Sequence, residues 1–281
     1  MPTSEQNCIK GVGFFRKILQ ILTQKPITMS WLSSALKPVG LRWFDHFLTS
    51  SLGKKVVMSL TGIFLMLFLI VHLLGNLQML SDDGGVGFNS YAKFMTSNPL
   101  IKSVSYLLYF SILLHAIQGW RLWAQNRAAR GGQGYAVKVT RAVNTNPTAA
   151  SRMGWLGTII FVFLVLHMWQ FWFQMKTGNV NHVTINGVQM KDLYTPVMLA
   201  FRNPVYVLVY VISMYVIGVH LRHGFQSAFQ TLGINHKKYT PLIRFLGNAY
   251  SLLIPLGFAL IPVLVFGQAQ GWWHLHISLT H

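Results

Sequence analysis

The chain has 281 residues, of which 52% are hydrophobic and only 10% are charged. Because soluble domains usually carry about 25% charged residues, this composition excludes an ordinary soluble protein and indicates a membrane protein. The net charge of +18 could indicate nucleic-acid binding. In a membrane protein it more often reflects basic cytoplasmic loops, so we predict no nucleic-acid partner. The single cysteine, Cys8, excludes an internal disulfide, a cysteine-ligated cluster within one chain and covalent haem attachment.

Residues 1–52 are predicted to form a basic cytoplasmic and interfacial segment. Arg16 and Lys17 interrupt its first apolar run, so a signal peptide is not indicated. Between residues 30 and 52, aromatic side chains alternate with basic ones, which is typical of a segment lying along a membrane surface. Met29 is an alternative start, and the sequence does not decide between it and Met1.

Five charge-free intervals follow, and each one predicts a transmembrane helix. They lie between Lys55 and Asp82, between Lys102 and Arg121, between Arg152 and Lys176, between Arg202 and Arg222, and after Arg244. They contain 26, 18, 23, 19 and 37 residues, and a helix needs about 20 apolar residues to cross the hydrocarbon. We therefore predict an all-α membrane protein whose five-helix domain covers residues 53–268, with an outer tail at 269–281. Pro255 and Pro262 are expected to interrupt the fifth helix.

The basic residues predict the orientation of these helices. With the N-terminus inside, 18 of the 23 Lys and Arg residues lie on the inner side and five lie in the outer loops. This bias matches the positive-inside rule, so we predict a cytoplasmic N-terminus and an outer C-terminus. Trp272 and Trp273 fit an aromatic belt at the outer surface.

One histidine lies in each of the first four intervals: His72, His115, His167 and His220. An ionisable group in a bilayer is costly and indicates a functional site. At about 1.5 Å per helical residue, His72 and His167 fall in the outer half of the membrane, and His115 and His220 fall in the inner half. These depths predict two facing pairs, each able to hold a planar ligand between two imidazoles.

The pairing decides between two interpretations of these histidines. A single membrane histidine is more often a hydrogen-bonding residue at a helix contact than a ligand. Two matched pairs favour ligands, and zinc fits poorly because no predicted helix offers an acidic or cysteine partner. Bis-histidine haem b requires only two neutral imidazoles in an apolar pocket. We therefore predict two haem b groups, bound by a bundle of the first four helices.

Glycines and cations near the histidines are consistent with haem without requiring it. Gly75, Gly119 and Gly224 follow their histidines by three or four residues and so share a helix face with them. They would let a porphyrin approach the backbone, although helix packing explains them equally well. The cations at the inner level could pair with haem propionates, although the positive-inside rule explains the arginines equally well. These cations are Arg121, Arg152, Arg222 and His223.

Short motifs around the histidines carry a resemblance to a known family. The motifs are Ser51-Leu52-Gly53-Lys54-Lys55, His72-Leu73-Leu74-Gly75-Asn76, Phe88-Asn89-Ser90-Tyr91-Ala92, His115-Ala116-Ile117-Gln118-Gly119, Leu166-His167-Met168-Trp169 and His220-Leu221-Arg222-His223-Gly224-Phe225-Gln226-Ser227. Over roughly residues 50 to 266 the chain resembles the cytochrome b membrane-anchor subunit of succinate dehydrogenases and fumarate reductases. The form it resembles is the single-subunit, five-helix, di-haem one.

The resemblance implies a role for each histidine pair. His72 and His167 would hold the haem far from the catalytic subunits, and His115 and His220 would hold the near one. His223 competes with His220, but the family's ligand precedes a glycine by four residues, which favours His220.

The resemblance also implies partners and a location. A flavoprotein would interconvert succinate and fumarate, and an iron–sulfur protein would pass electrons to this subunit of a respiratory complex II of the tricarboxylic acid cycle. The chain itself would be the non-catalytic electron-transfer subunit, in a bacterial inner (cytoplasmic) membrane. The electrons would reach a quinone, expected to be menaquinone, near the outer haem. Asn76, Asp82 and Asp83 are the candidate quinone residues, with loop capping as the alternative role of the two aspartates.

Two other functions stay open at this point. The histidines could form a proton relay in a small transporter, but such proteins usually contain internal repeats, and none is found here. The chain could also be the haem b anchor of another membrane oxidoreductase, such as a formate dehydrogenase or a hydrogenase.

Overall fold

The structure, a computed structural model, describes residues 42–129 and 147–273. Most of the predicted segment 1–52, both candidate start residues and most of the predicted tail 269–281 lie outside the described residues. The helices are α1 (Arg42–Thr49), α2 (Ser51–Leu77), α3 (Val86–Ser97), α4 (Pro99–Ala129), α5 (Pro147–His167), α6 (Gln174–Thr177), α7 (Tyr194–Ala200), α8 (Pro204–Thr231) and α9 (Thr240–Ala269). A 3₁₀ turn (Gln78–Leu80) extends α2, and a π-helical segment (Met168–Phe173) joins α5 to α6.

Five of these helical stretches are long and apolar enough to cross a membrane, which confirms that part of the prediction. They are Ser51–Leu80, Pro99–Ala129, Arg152–Thr177, Pro204–Thr231 and Thr240–Ala269. The first four spans are longer than their charge-free intervals. The fifth begins before Arg244 and ends before the last residues of its interval. Basic residues can lie within the ends of these helices because their long side chains place the charged group at the aqueous interface.

Polar caps define where two of the spans begin. The Gly53 N–H donates to Ser50 Oγ at 2.9 Å, which satisfies one free donor at the start of α2. At the start of α8, the Val205 N–H donates to Asn203 Oδ1 at 2.9 Å, and Pro204 occupies the first turn, where its missing N–H is not needed.

The first four spans pack in a closed ring. Helix α2 packs against α4 and α8, and α5 packs against the same two helices. The first and third spans are therefore diagonally opposite, as are the second and fourth. Helix α9 lies outside this ring, against α8 and α2. Side chains that point to the middle of the ring come from all four helices.

The fifth span is one continuous helix, so the expected interruption at Pro255 and Pro262 is wrong. Proline lacks an N–H, so Pro255 leaves the carbonyl of Ser251 without its usual helical donor. That carbonyl faces Gly218 of α8, where an added Cβ would lie 3.1 Å from the oxygen. The close approach that glycine allows thus lets α9 pass through Pro255 while packed on α8.

The outer loop before α7 contains a β-hairpin that the all-α prediction missed. Strand β1 (His182–Ile185) pairs antiparallel with β2 (Val188–Lys191), with Ile185 opposite Val188. Asn186 and Gly187 form the turn with positive φ values of 52° and 76°. Asn-Gly between two short β-prone runs is a strong hairpin signal, so the sequence contained the necessary information.

A buried core lies at the end of the ring next to α7, where the sequence predicts the outer surface. It consists of Leu73, Met79, Tyr194, Val197, Met198, Phe201, Tyr210, Ile261 and Val265. Asn89, which is only 3% exposed, connects α3 to the start of α7 above this core. Its Oδ1 accepts from the N–H groups of Leu193 (2.9 Å) and Tyr194 (3.1 Å), and its Nδ2 donates to Asp192 Oδ1.

Candidate functional site

The four membrane histidines meet as two pairs, each joining diagonally opposite helices. The rings of His72 on α2 and His167 on α5 have centres 6.0 Å apart and planes at 77°. The rings of His115 on α4 and His220 on α8 have centres 6.4 Å apart and planes at 71°. These are the pairs that the helix depths predict.

The separation within each pair suits two nitrogen ligands on opposite sides of one metal ion. With nitrogen–metal distances of about 2 Å, the ring centres of two such imidazoles lie roughly 6 Å apart. Within the described ranges, no cluster of three or more His, Cys, Asp or Glu side chains could hold a metal ion.

Aromatic side chains surround His72 and His167, which are called the outer pair after their predicted depth, as His115 and His220 are called the inner pair. Phe68 stacks on His72 with ring centres 5.1 Å apart and planes at 16°. Phe258 approaches His72 at 5.5 Å, and Phe163 stacks on His167 at 5.9 Å. The site is thus apolar except for the imidazoles and the groups that hydrogen-bond to them.

A hydrogen-bonded chain on the outer level positions His167. Its Nδ1 lies 3.2 Å from the hydroxyl of Tyr210 on α8. That hydroxyl donates to Gln170 Oε1 at 3.1 Å. Gln170 belongs to the π-helical segment that begins directly after His167, and such segments occur frequently at functional sites.

His115 has a comparable contact on the inner level. Its Nδ1 lies 3.1 Å from Thr61 Oγ1 on α2. The Thr61 hydroxyl donates to the carbonyls of Val57 (2.8 Å) and Met58 (3.1 Å), as threonine commonly does within a helix. The Thr61 oxygen can therefore accept a hydrogen bond from the imidazole N–H.

The two partner histidines have different surroundings. The Asn76 amide donates to the backbone oxygen of His72 at 2.7 Å and lies 3.3 Å from His72 Nδ1. His220 Nδ1 is buried and has no hydrogen-bond partner among the residues that the structure describes. Each pair thus contains one imidazole held by a hydroxyl of another helix and one that is not.

The three glycines near the histidines have three different environments. A Cβ on Gly75 would lie 2.4 Å from Cε1 of Tyr91, so this glycine accommodates the tyrosine ring. A Cβ on Gly119 would meet Met58 at 3.4 Å, an ordinary contact between α4 and α2. A Cβ on Gly224 would have nothing within 4 Å. Of the three, Gly224 alone faces open space.

The sequence did not single out Gly62, which also lies beside a histidine. A Cβ there would be 3.3 Å from His115 Cε1.

The four cations predicted for the inner level are partly or fully exposed, and His223 interacts electrostatically with the paired His220. Arg152 and Arg222 are exposed, whereas Arg121 and His223 are half-buried. Arg222 donates from Nε to Asn248 Oδ1 on α9 at 3.2 Å. Arg222 thus connects α8 to α9.

The acidic residues after the first span lie in an exposed turn. Asp83 accepts from the N–H groups of Gly85 (2.9 Å) and Gly87 (2.8 Å) and so caps the start of α3. This is the capping role named as the alternative to quinone binding.

Burial raises the pKa of the Tyr194 phenol, and the charges of Asp83 and Asp82 raise it further.

No protein-family model, curated protein or solved structure matches this chain. Its function therefore has to follow from the residues of the site. The sequence interpretation overlooked Thr61, Tyr210 and Gln170, although polar groups within apolar spans are an available signal.

Proposed function

We propose that the chain is the cytochrome b membrane-anchor subunit of a succinate dehydrogenase or fumarate reductase. It would pass electrons between an iron–sulfur partner and a membrane quinone through two bis-histidine haem b groups. The observation that carries this proposal is the presence of two facing histidine pairs on diagonal helices, with ring centres 6.0 and 6.4 Å apart. The inner pair would serve the catalytic partners and the outer pair the quinone.

The residues of each pair fit a haem. Each pair offers two imidazoles, and among the described residues no third His, Cys, Asp or Glu joins either pair, which suits an iron whose porphyrin supplies the remaining four ligands. The unpaired Nδ1 of His220 and the open space at Gly224 lie together on α8 at the inner level. Haem iron, when bound, supplies one-electron reduction and oxidation. The chain's own part is to hold the two imidazoles and to exclude water with aromatic side chains.

The two levels supply a route across the membrane. Tyr210, which contacts His167, lies ten residues before His220 on the same helix α8. At 1.5 Å per residue, the outer and inner levels are roughly 15 Å apart along that helix. The proposal includes a cytoplasmic N-terminus and an outer C-terminus, which rest on the distribution of the Lys and Arg residues along the sequence. It also includes a bacterial inner membrane, with flavoprotein and iron–sulfur partners on the cytoplasmic side.

The quinone, expected to be menaquinone, would bind near the outer pair. Asn76 lies directly beside His72, and Asp82 and Asp83 follow the end of the first span. Both aspartates remain candidates for proton exchange with a quinone, and Asp83 accepts backbone N–H groups with both of its carboxylate oxygens.

The test is the haem content and reduction of the purified complex. Dithionite-reduced minus oxidised spectra and a pyridine haemochrome assay should show two b haems per chain. Succinate should reduce at least one of them. His72→Ala and His167→Ala should each remove the outer haem alone, and His115→Ala and His220→Ala the inner haem alone. His182→Ala in the exposed hairpin is the matched control and should retain both.

Each alternative predicts a different result. A proton relay would give a folded protein without haem, which would contradict the proposal. The anchor of another oxidoreductase would give two b haems that dithionite reduces and that succinate does not, even with its own partners present.

A further inference from the structure

We infer that one hydroxyl per pair, Tyr210 at the outer level and Thr61 at the inner level, fixes which nitrogen of the neighbouring imidazole carries the proton. Tyr210 and Thr61 would thus be positioning residues, each preparing one histidine of its pair to bind iron through Nε2. This inference rests on the proposed function, because it concerns the ligands of the same two haems.

The outer level supplies the first part of the evidence. Tyr210 has one hydroxyl proton, and Gln170 Oε1 lies 3.1 Å from that oxygen as an acceptor. With its proton directed to Gln170, the hydroxyl can only accept from His167 Nδ1 at 3.2 Å. A neutral imidazole has one protonated nitrogen, so Nδ1–H leaves Nε2 with a free lone pair. Tyr210 is only 9% exposed, so water competes little for either bond.

The same logic holds on the inner level with a different residue. The Thr61 proton is directed to the carbonyls of Val57 and Met58 on its own helix. Thr61 Oγ1 is therefore an acceptor for His115 Nδ1–H at 3.1 Å. Nε2 of His115 is again left unprotonated. Two unrelated side chains on two different helices thus produce the same protonation state.

The opposite histidine of each pair is not prepared in this way. Asn76 offers an N–H donor to His72 Nδ1, which favours the proton on Nε2. His220 Nδ1 has no partner that would select either form. Each haem would therefore have one ligand whose proton position is set for iron binding beforehand and one whose proton position is not.

A hydrogen bond from Nδ1–H makes a metal-bound imidazole more basic and fixes its orientation. Greater ligand basicity stabilises the ferric state, so losing the bond should raise the midpoint potential of the haem concerned. Loss of a group that hydrogen-bonds to a metal-bound imidazole typically weakens metal binding by about 10- to 100-fold. The two hydroxyls should act separately, because each contacts a histidine of a different pair.

The experiment uses Tyr210→Phe and Thr61→Val in the full complex. The readouts are the two midpoint potentials, the low-spin ferric haem signals in electron paramagnetic resonance, and haem transfer to apomyoglobin. Tyr210→Phe should raise the potential of the outer haem and weaken its retention by about 10- to 100-fold, with the inner haem unchanged. Thr61→Val should do the same to the inner haem alone, and Thr61→Ser should restore it. The outer haem is identified as the one lost in His72→Ala.

Tyr206→Phe is the matched control, since Tyr206 lies one turn earlier on α8 and is 43% exposed. If Tyr210→Phe does not assemble, Gln170→Leu tests the same chain, because it frees the Tyr210 proton to turn toward His167. It should weaken retention of the outer haem, because the haem-free imidazole would then carry its proton on Nε2. Unchanged potentials in Tyr210→Phe and Thr61→Val, unchanged retention in Gln170→Leu, or equal shifts in both haems would overturn the inference and leave the proposed function standing. A wild-type complex without haem would instead overturn the proposed function.

Discussion

The contact between Gly75 and Tyr91 predicts that Gly75→Ala destabilises the protein when residue 91 carries a ring and stabilises it when residue 91 does not. A Cβ at Gly75 would lie 2.4 Å from Tyr91 Cε1, and ordinary contacts begin at 3.4 Å, so the ring would have to move by about 1 Å. Overpacking of this kind costs about 1–3 kcal/mol. Alanine at a helical glycine position gains about 0.5–1 kcal/mol in return. We therefore expect Gly75→Ala to lower the free energy of unfolding by about 1 kcal/mol.

Removing the ring should reverse that effect. In a Tyr91→Ala background the added methyl group meets no ring, and only the helical gain remains. Gly75→Ala should then stabilise the protein by about 0.5–1 kcal/mol. The coupling energy of the double-mutant cycle should reach about 1–3 kcal/mol, which lies within the range of about 0.5–3 kcal/mol for residues in direct contact.

The assay is unfolding in mixed micelles of mild detergent and sodium dodecyl sulfate, followed by circular dichroism. Tyr91→Phe is the matched control, because it keeps the ring and should keep the full coupling. A Gly75→Ala cost that is equal with and without the ring would refute the packing explanation. If that cost appeared only in haem-loaded protein, it would support the earlier interpretation that Gly75 leaves space for a porphyrin.

Three further predictions follow from single contacts. Gly224→Ala should leave the stability of haem-free protein unchanged or slightly raised, since nothing lies within 4 Å of its added Cβ, but should weaken retention of the inner haem in the apomyoglobin assay. Asn89→Leu leaves the buried N–H of Leu193 without an acceptor and should lower the free energy of unfolding by about 1–3 kcal/mol, with Ser90→Ala as the exposed control. The folded-state pKa of Tyr194 lies above its ordinary value of 10.0, so the neutral phenol's contribution is complete below pH 10 and is lost as pH rises through the folded pKa. Thermal unfolding between pH 8 and 11 should therefore show a steeper loss of Tm in wild type than in Tyr194→Phe.

The sequence predicted the spans and the histidine pairs because both depend on properties that do not need side-chain detail. Charge-free length determines whether a helix can cross the hydrocarbon, and residue counts determine depth. Gly75 shows where this reasoning stops. Its position three residues after His72 indicates a shared helix face, but only packing reveals that Tyr91, from another helix, fills the space beside it.

Two other features differ in how far they could have been predicted. The hairpin at 182–191 carries an Asn-Gly turn that a search of the outer loop for strand signals would have found. The π-helical segment after His167 has no comparable signal in its residues, Met168 to Phe173. The roles of Tyr210 and Thr61 depend on neighbouring helices, and such contacts are fixed only when the ring has formed.

The up-and-down topology explains why one histidine per helix is enough to build two pairs. In a ring of four consecutive antiparallel helices, diagonal partners run in the same direction. Equal depth then requires equal distance from each helix's own start. His115 and His220 each lie 16 residues after the first residues of α4 and α8, and His72 and His167 lie 21 and 20 residues after those of α2 and α5. A shift of one residue would turn an imidazole by about 100° around its helix, away from the centre of the ring. The spacings are equal in one pair and differ by one residue in the other, so each pair has the matching depths that a ligand held between two imidazoles requires.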